Sequence, residues 1–412
     1  MKCFPPSQVA VAVCALVIST PVLAAEPDSG SPLKPLIDVR GRWENVDQDG
    51  FARTASAATV RARLGFETRP LFKTSVLAEG EFVRAFQDDF NSTVNGKTRF
   101  PVVGDPDTEE FNRLQLTNTS LPATSIIVGR QRINEDDQRF IGHSGWRQNE
   151  QTYDSARIVN QSINKLTIDV AYIDQVNRVF GKDSPVGRYQ GDSIAANVAY
   201  KFGLGTLSAF AYRLDFDVLS HASPAQLNSA INDSSLTEGI RFSGDHMFNT
   251  VKLAYVGSFA AQEEVGRNPL NYSADYYLAE VTANVKAFIA GAGIEVLEGT
   301  GTKGFATPLA SLHKFQGWAD KFLTTPVNGI EDRYATVGIG SKRMGPLQSV
   351  SASLIYHDFD AERGSSHYGS EVDVQLQARW YKFTGLVKYA DYHADDLFTD
   401  TGKLWAQLEY VW

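Results

Sequence analysis

Charged side chains recur in this chain at intervals of two. Arg40 and Arg42, Arg61 and Arg63, Arg130 and Arg132, and Glu79 and Glu81 are each separated by one residue. A strand places residues i and i+2 on one face. Each pair therefore sets two like charges side by side along a wall. Arg157, Arg241 and Arg379 fall on the polar faces of further alternating segments. A guanidinium is a rigid fork of donors that grips carboxylates and phosphates. The chemistry on offer is recognition and steering of charged solutes. The same faces carry Asp38, Glu44, Glu67, Glu280, Glu295, Asp373 and Glu409. Two arrangements are open: a transverse field across a channel, or a self-cancelling ladder of ion pairs that props the wall. The arginines favour anionic solutes, and the acids nearly balance them.

A second concentration of charge lies between two alternating segments, in SIIVGRQRINEDDQRFIGHSGWRQNEQTYDSARI from Ser125 to Ile158. About sixteen polar residues connect the two, where a hairpin needs two to five. Asp136, Asp137, Arg139, Trp146 and Arg147 sit in this connection, residues 135–151. If it folds into a pore, these side chains set the bore. Residues 300–329 form another long connection. There Thr307 before Pro308 suits a helix start, with Leu309, Leu312, Phe315 and Phe322 as the packed face of a short helix.

Catalysis finds little footing. Gly142-His-Ser-Gly145 lacks the spacing of a nucleophile elbow, because position 146 is Trp. His143 and His313 stand alone in polar loops, and Asp105-Pro-Asp107 is a solvated turn rather than a calcium loop. No enzyme, metal site or cofactor is expected.

The elements that hold these residues alternate apolar and polar side chains in about eighteen segments. Val60, Ala62, Leu64 and Phe66 oppose Arg61, Arg63 and Glu67. Val372, Val374, Leu376, Ala378 and Trp380 oppose Asp373, Gln375, Gln377, Arg379 and Tyr381. A soluble core cannot accept so many strands with one charged face, unless that face lines water. The fold class is therefore all-β: a transmembrane antiparallel β-barrel of about 18 strands, apolar toward lipid and polar toward a lumen. Long connections alternate with tight ones. This is the pattern of extracellular loops and periplasmic turns, with both termini periplasmic.

The chain has 412 residues and a net charge of −9, which argues against nucleic acid as a partner. Lys2, the apolar run Val9–Ile18 and Val22-Leu-Ala24 form an export signal over residues 1–24, with the barrel spanning 25–412. Removing it takes one Lys and no acid, so the mature charge is −10. It also removes Cys3 and Cys14, the two cysteines, and with them any disulfide or thiolate chemistry. An integral protein of a Gram-negative outer membrane is expected, in contact with lipid and lipopolysaccharide and passing small hydrophilic solutes.

The last strand alternates Leu404, Ala406, Leu408, Tyr410 and Trp412 to the terminus. It resembles the C-terminal signature by which the barrel-assembly machinery recognises outer-membrane proteins, with Trp in place of the commoner Phe. Gly129-Arg-Gln-Arg132, Gln138-Arg-Phe-Ile-Gly142, Gly145-Trp-Arg-Gln-Asn-Glu-Gln151 with Asp154, and Thr307-Pro-Leu through Gly317-Trp-Ala-Asp-Lys-Phe322 together resemble the alginate-export family of outer-membrane channels, in particular its porin-like members. The resemblance implies an eighteen-stranded barrel. It also implies a conduit: a passive channel for small hydrophilic, anionic or saccharide solutes, or an export route for an anionic polysaccharide such as alginate.

Overall fold

Every strand in the protein pairs antiparallel with the strand before and the strand after it, and β18 (Thr401–Val411) returns to pair with β1 (Leu33–Gln48). The sheet is thus a closed barrel of eighteen strands without an edge, which satisfies its backbone groups inside a bilayer. The computed structural model describes residues 31–217 and 230–412. The export signal over residues 1–24 lies outside the described residues.

Alternation decides which way each side chain points. In β1, Arg40, Arg42 and Glu44 are buried in the lumen, while Gly41 and Trp43 face outward. In β2 (Ala55–Thr68), Thr59, Arg61 and Arg63 face in and Leu64 and Phe66 face out. Leu116, Val128, Ile158, Val337, Leu376 and Leu408 are each about half exposed on the outside. Such an apolar belt would be a liability in water and is the solvated face in lipid. No helix among the described residues is long and apolar enough to cross a membrane.

Left-handed residues recur at the tight turns: Phe72, Lys73, Ala123, Lys165, Asn249, Lys286, Arg343 and Tyr381 all take positive φ. Five of the turns hold two residues, where such a backbone matches the twist of the strands, and those at 69–73, 119–123 and 161–165 hold five. Each turn is tied to its neighbour: the amide of Thr119 donates to Lys73 O at 2.9 Å, and Lys201 N to Lys165 O at 2.9 Å.

β5 (Thr124–Gln131) ends three residues before the loop expected at 135–151, and β6 (Thr152–Asn160) begins where that loop is expected to end. The intervening residues 132–151, loop L3, turn into the lumen. Between β13 (Phe288–Leu297) and β14 (Ile330–Met344), residues 298–329, loop L7, do the same. The core of the molecule is the packing of these loops against the inner wall, around Ile133, Ile141, Tyr153, Phe305, Leu309, Trp318 and Phe322. L7 holds one 3₁₀ turn, Leu312–Lys314, rather than the expected helix. Gln316 and Gly317 take positive φ immediately afterwards, which ends the turn. Leu309 and Phe322 are buried as anticipated, but against the barrel wall rather than on one helical face.

Candidate functional site

Glu150 fixes the descending limb of L3. Its buried carboxylate receives Arg132 Nε at 2.5 Å and Asn112 Nδ2 at 2.6 Å, and Arg63 Nη1 lies 3.1 Å away. Burial alone would raise its pKa. Arg132 and Arg63 overcome that and hold the carboxyl well below the usual range. A register shift at Glu79/Gly80 of β3 (Thr74–Asp89) leaves Asn112 of β4 (Thr108–Asn118) without a Cα partner. From there it bonds both Glu79, at 2.8 Å, and Glu150.

Arg40 and Arg42 are occupied by the same loop. Arg40 Nε donates to Gln148 Oε1 at 2.9 Å, and its other nitrogens bond the carbonyls of Gly145 and Arg147. Arg42 bonds the Trp146 carbonyl at 2.5 Å and lies 4.1 Å over the indole. Its Nη1 is 3.5 Å from Asp105 of the loop after β3. Asp105 also accepts from Gln148 N at 2.8 Å and is fully buried, so it is no solvated turn. The expectation failed because a buried arginine lay above it.

L3 crosses to the far wall. Arg139 Nε meets Glu295 Oε1 of β13 at 2.7 Å, and Arg139 Nη1 bonds Thr307 Oγ1 of L7 at 3.2 Å. Asp136 accepts from Asn197 and Ser208, and Asp137 from Arg241 at 3.1 Å. The two loops also pair directly, with Gly142 N donating to Leu309 O at 2.9 Å and Ser311 N to Gln138 O at 3.0 Å. Together they form one body across the barrel.

His313 is buried at the centre of the second anchorage. Its ring stacks on Trp146 at 4.3 Å, and its Nε2 lies 2.8 Å from the Lys388 Nζ of β17 (Phe383–Ala394). Burial, with the charge of Lys388, holds the imidazole neutral. With Nε2 accepting from Lys388, Nδ1 carries the proton and donates to Asp320 at 2.7 Å. Asp320 further receives Arg147 at 2.7 Å and Lys403 at 3.0 Å. Trp318 and Trp405 complete an aromatic box, the Lys388 ammonium lying 3.5 Å from the Trp318 ring centre. His143, by contrast, bonds only within L3, to Asn134 at 2.8 Å, and burial pushes it down to about 4.

The remaining arginines pair locally. Arg61 bonds Asp38 and Glu409, and Arg63 bonds Glu81. Arg113 grips Glu79 with two bonds of 2.9 and 2.8 Å. Arg157 is bidentate to Asp169 on the inner wall. Arg130 is bidentate to Asp154 at 2.7 and 2.9 Å, but it shares a face with Val128 and pairs in register with Leu114, both exposed on the outside, so it does not line the lumen as the sequence suggested. Neighbouring strands bring opposed side chains within a few ångströms. The inner wall is therefore a ladder of ion pairs rather than two opposed sheets of charge. Arg379 lies apart, near the end of β16 (His367–Trp380).

Several site residues left no sequence signal. Lys388, Trp405, His357, Asp332 and Glu371 lie one to a strand, so no local motif gathers them. Of these, Asp332 and His357 border a cavity of about 90 Å³ beside L7, between Lys314–Trp318 and a wall that also carries Arg241, Glu280 and Glu295. On the outer rim, Asp358, Asp360 and His367 gather within 4.8 Å, but Arg333 already pairs with Asp360 at 2.7 Å.

No known family model matches the sequence, and no curated protein matches it. Solved structures do. OpdK of Pseudomonas aeruginosa, crystallised with vanillate, aligns over 92% of this chain and 98% of its own, with a TM-score of 0.68 at 12% identity. OccAB4 of Acinetobacter baumannii aligns over 94% and 100%, with a TM-score of 0.69 at 14% identity. OpdO of P. aeruginosa aligns over 92% and 97%, with a TM-score of 0.67 at 15% identity. The chain has the fold of an eighteen-stranded outer-membrane porin. OpdK is an outer-membrane protein. These neighbours do not support the alginate-export resemblance of the loop blocks.

Proposed function

We propose that the protein is an outer-membrane channel for passive diffusion of small hydrophilic solutes, with a preference for anionic ones. One observation carries this reading: L3 and L7 are joined to each other and pinned to two separate parts of the wall by Arg139–Glu295 and Asp320–Lys403. A barrel of this strand number has room for an aqueous channel. The two loops reduce it to a narrow polar passage.

The constriction is formed by Arg132, Arg139, Arg147, Asp136, Asp137 and Trp146. The wall beside it carries Arg40, Arg42, Arg61, Arg63, Arg157, Arg241, Glu79 and Glu81. Paired guanidiniums can exchange one carboxylate partner for another at little cost in geometry. A small carboxylate solute would pass by such exchanges. That OpdK is known with vanillate, itself a carboxylate, fits this reading. An export conduit for a polysaccharide needs an open bore, and loops filling the lumen count against it. Lipid, lipopolysaccharide and the assembly machinery acting on the last strand complete the proposed partners.

The test is planar-bilayer conductance of the refolded barrel in a KCl gradient, repeated with vanillate and with an oligouronate. Mild anion selectivity and slowing by vanillate support the reading. Block by the oligouronate alone would replace it with the export reading. Deleting Glu135–Gln148 should raise conductance, and no rise would place L3 outside the pathway.

A further inference from the structure

The tight-turn end of the barrel is basic although the chain as a whole is acidic. Lys73, Lys165, Lys201, Lys286, Arg343 and Lys382 lie at six of its eight turns. Glu67 and Asp245 are the acids nearest these turns among the described residues, and Asp245 meets Lys252 at 3.3 Å. None of the six pairs with a carboxylate among the described residues.

The turn backbone did not select these residues. Lys73 (φ 59°), Lys165 (φ 65°), Lys286 (φ 55°) and Arg343 (φ 62°) occupy left-handed positions. Glycine or asparagine fills such positions without strain. A basic side chain recurring there, against backbone preference, is kept for what the side chain does. The neighbouring residues fix its depth. Phe72, Ile163, Phe202, Phe288, Met344 and Tyr381 are exposed beside the same turns. Apolar and aromatic residues of this kind sit at the boundary of acyl chains and headgroups. Turns of two to five residues cannot reach far beyond that boundary, so the cationic groups lie at phosphate depth rather than out in the periplasm. Lys382, 3.2 Å over the Trp412 ring, shows the same seating beside an aromatic anchor.

We propose that this ring binds the phosphate headgroups of anionic glycerophospholipids, of the phosphatidylglycerol class, in the inner leaflet of the outer membrane. The barrel would then gather an annulus of anionic lipid at its periplasmic end. The acidic loops, such as Asp395 and Asp396, stay at the opposite end.

The experiment uses the full barrel, refolded in vesicles of mixed phosphatidylcholine and phosphatidylglycerol and excised with its boundary lipids by a membrane-cutting polymer. Boundary phosphatidylglycerol should be enriched about fivefold over the bulk, the factor for one basic side chain at an anionic surface. High salt should erase the enrichment. The combined Lys73→Gln, Lys165→Gln, Lys286→Gln and Arg343→Gln variant should lose it. The same four positions changed to Gly should lose it too, while melting no lower than the parent, because the turns relax. This second variant guards against misfolding as an explanation. Boundary lipid matching the bulk in the parent, or enrichment retained in the Gly variant, overturns the proposal. Altered ion selectivity in the variants with unchanged lipid enrichment also overturns it, and assigns the ring to solutes at the pore exit.

Discussion

Arg139 and Glu295 are 156 residues apart in the chain and 2.7 Å apart in the barrel. Both side chains are almost fully buried, and Tyr276 donates to the same Glu295 oxygen at 2.9 Å. This contact carries L3 across to β13. Breaking one partner of a buried pair costs about 3–5 kcal/mol, because the other charge is left uncompensated. Arg139→Ala should therefore lower the melting temperature and raise single-channel conductance together. Removing both charges, as Arg139→Met with Glu295→Gln, should restore much of the stability but keep the higher conductance. Equal conductance in all three proteins would show that this contact does not hold the constriction.

Arg132 pairs with Glu150 beside the passage, whereas Arg130 pairs with Asp154 on the outer face of the barrel. Arg132→Ala leaves Glu150 with fewer counter-charges beside the passage. The zero-current potential in a KCl gradient should then move toward cation preference. Arg130→Ala should leave it unchanged, since that side chain lies outside the lumen. A potential that stays put in Arg132→Ala would mean that solutes pass elsewhere.

The strands, their number and most of their facing were legible from the sequence; Arg130, a charged residue on the outer face beside Val128, broke the rule that polar means inward. Period-two alternation is imposed by lipid on one side and water on the other, and it leaves a trace in every strand. L3 stood out because sixteen polar residues are too many for a turn. The partners of its charges were not legible. Asp105, Lys388 and His313 reach the site from separate parts of the chain, and each is a single residue with no neighbour of its kind. The failed L7 helix has the same origin. Thr307-Pro308 is a fair helix start, but the segment answers to the wall: Trp318 N and Ala319 N donate to Asp373 and Glu371 of β16, at 3.1 and 2.7 Å.

That last contact makes Gly317 a sharp probe. Its φ is +80°, and a Cβ there would lie 2.5 Å from Glu371 Oε2. Gly317→Ala adds both backbone strain, about 1 kcal/mol or more, and a clash with a buried carboxylate. The L7 apex should lift off β16, with a lower melting temperature and noisier, larger conductance. Gly364→Ala is the control. It shares a positive φ of 101° but meets nothing within 4 Å, so it should cost stability without changing conductance. Identical behaviour of the two variants would assign the whole effect to backbone strain.

Glu135 opens L3 and gives the channel a pH dependence with a definite sign. Burial, with Asp169 and Asp136 nearby, pushes its carboxyl up to about 8 against the pull of Arg157. It is therefore largely protonated at neutral pH. Arg157 keeps Asp169 as its bidentate carboxylate, and its 3.4 Å contact with Glu135 is the weaker one. A folded pKa above the unfolded value means that the stabilisation is complete below about 4.5, the unfolded value. It is lost as pH rises through about 8. Raising the pH from 6 to about 9 should thus loosen the root of L3, lowering the melting temperature and increasing conductance. Glu135→Gln, which stays neutral, should flatten both curves over that interval. If the variant titrates like the parent, the pH response belongs to another group. If neither protein responds, Glu135 is already ionised beside Arg157 and the loop root is held by charge.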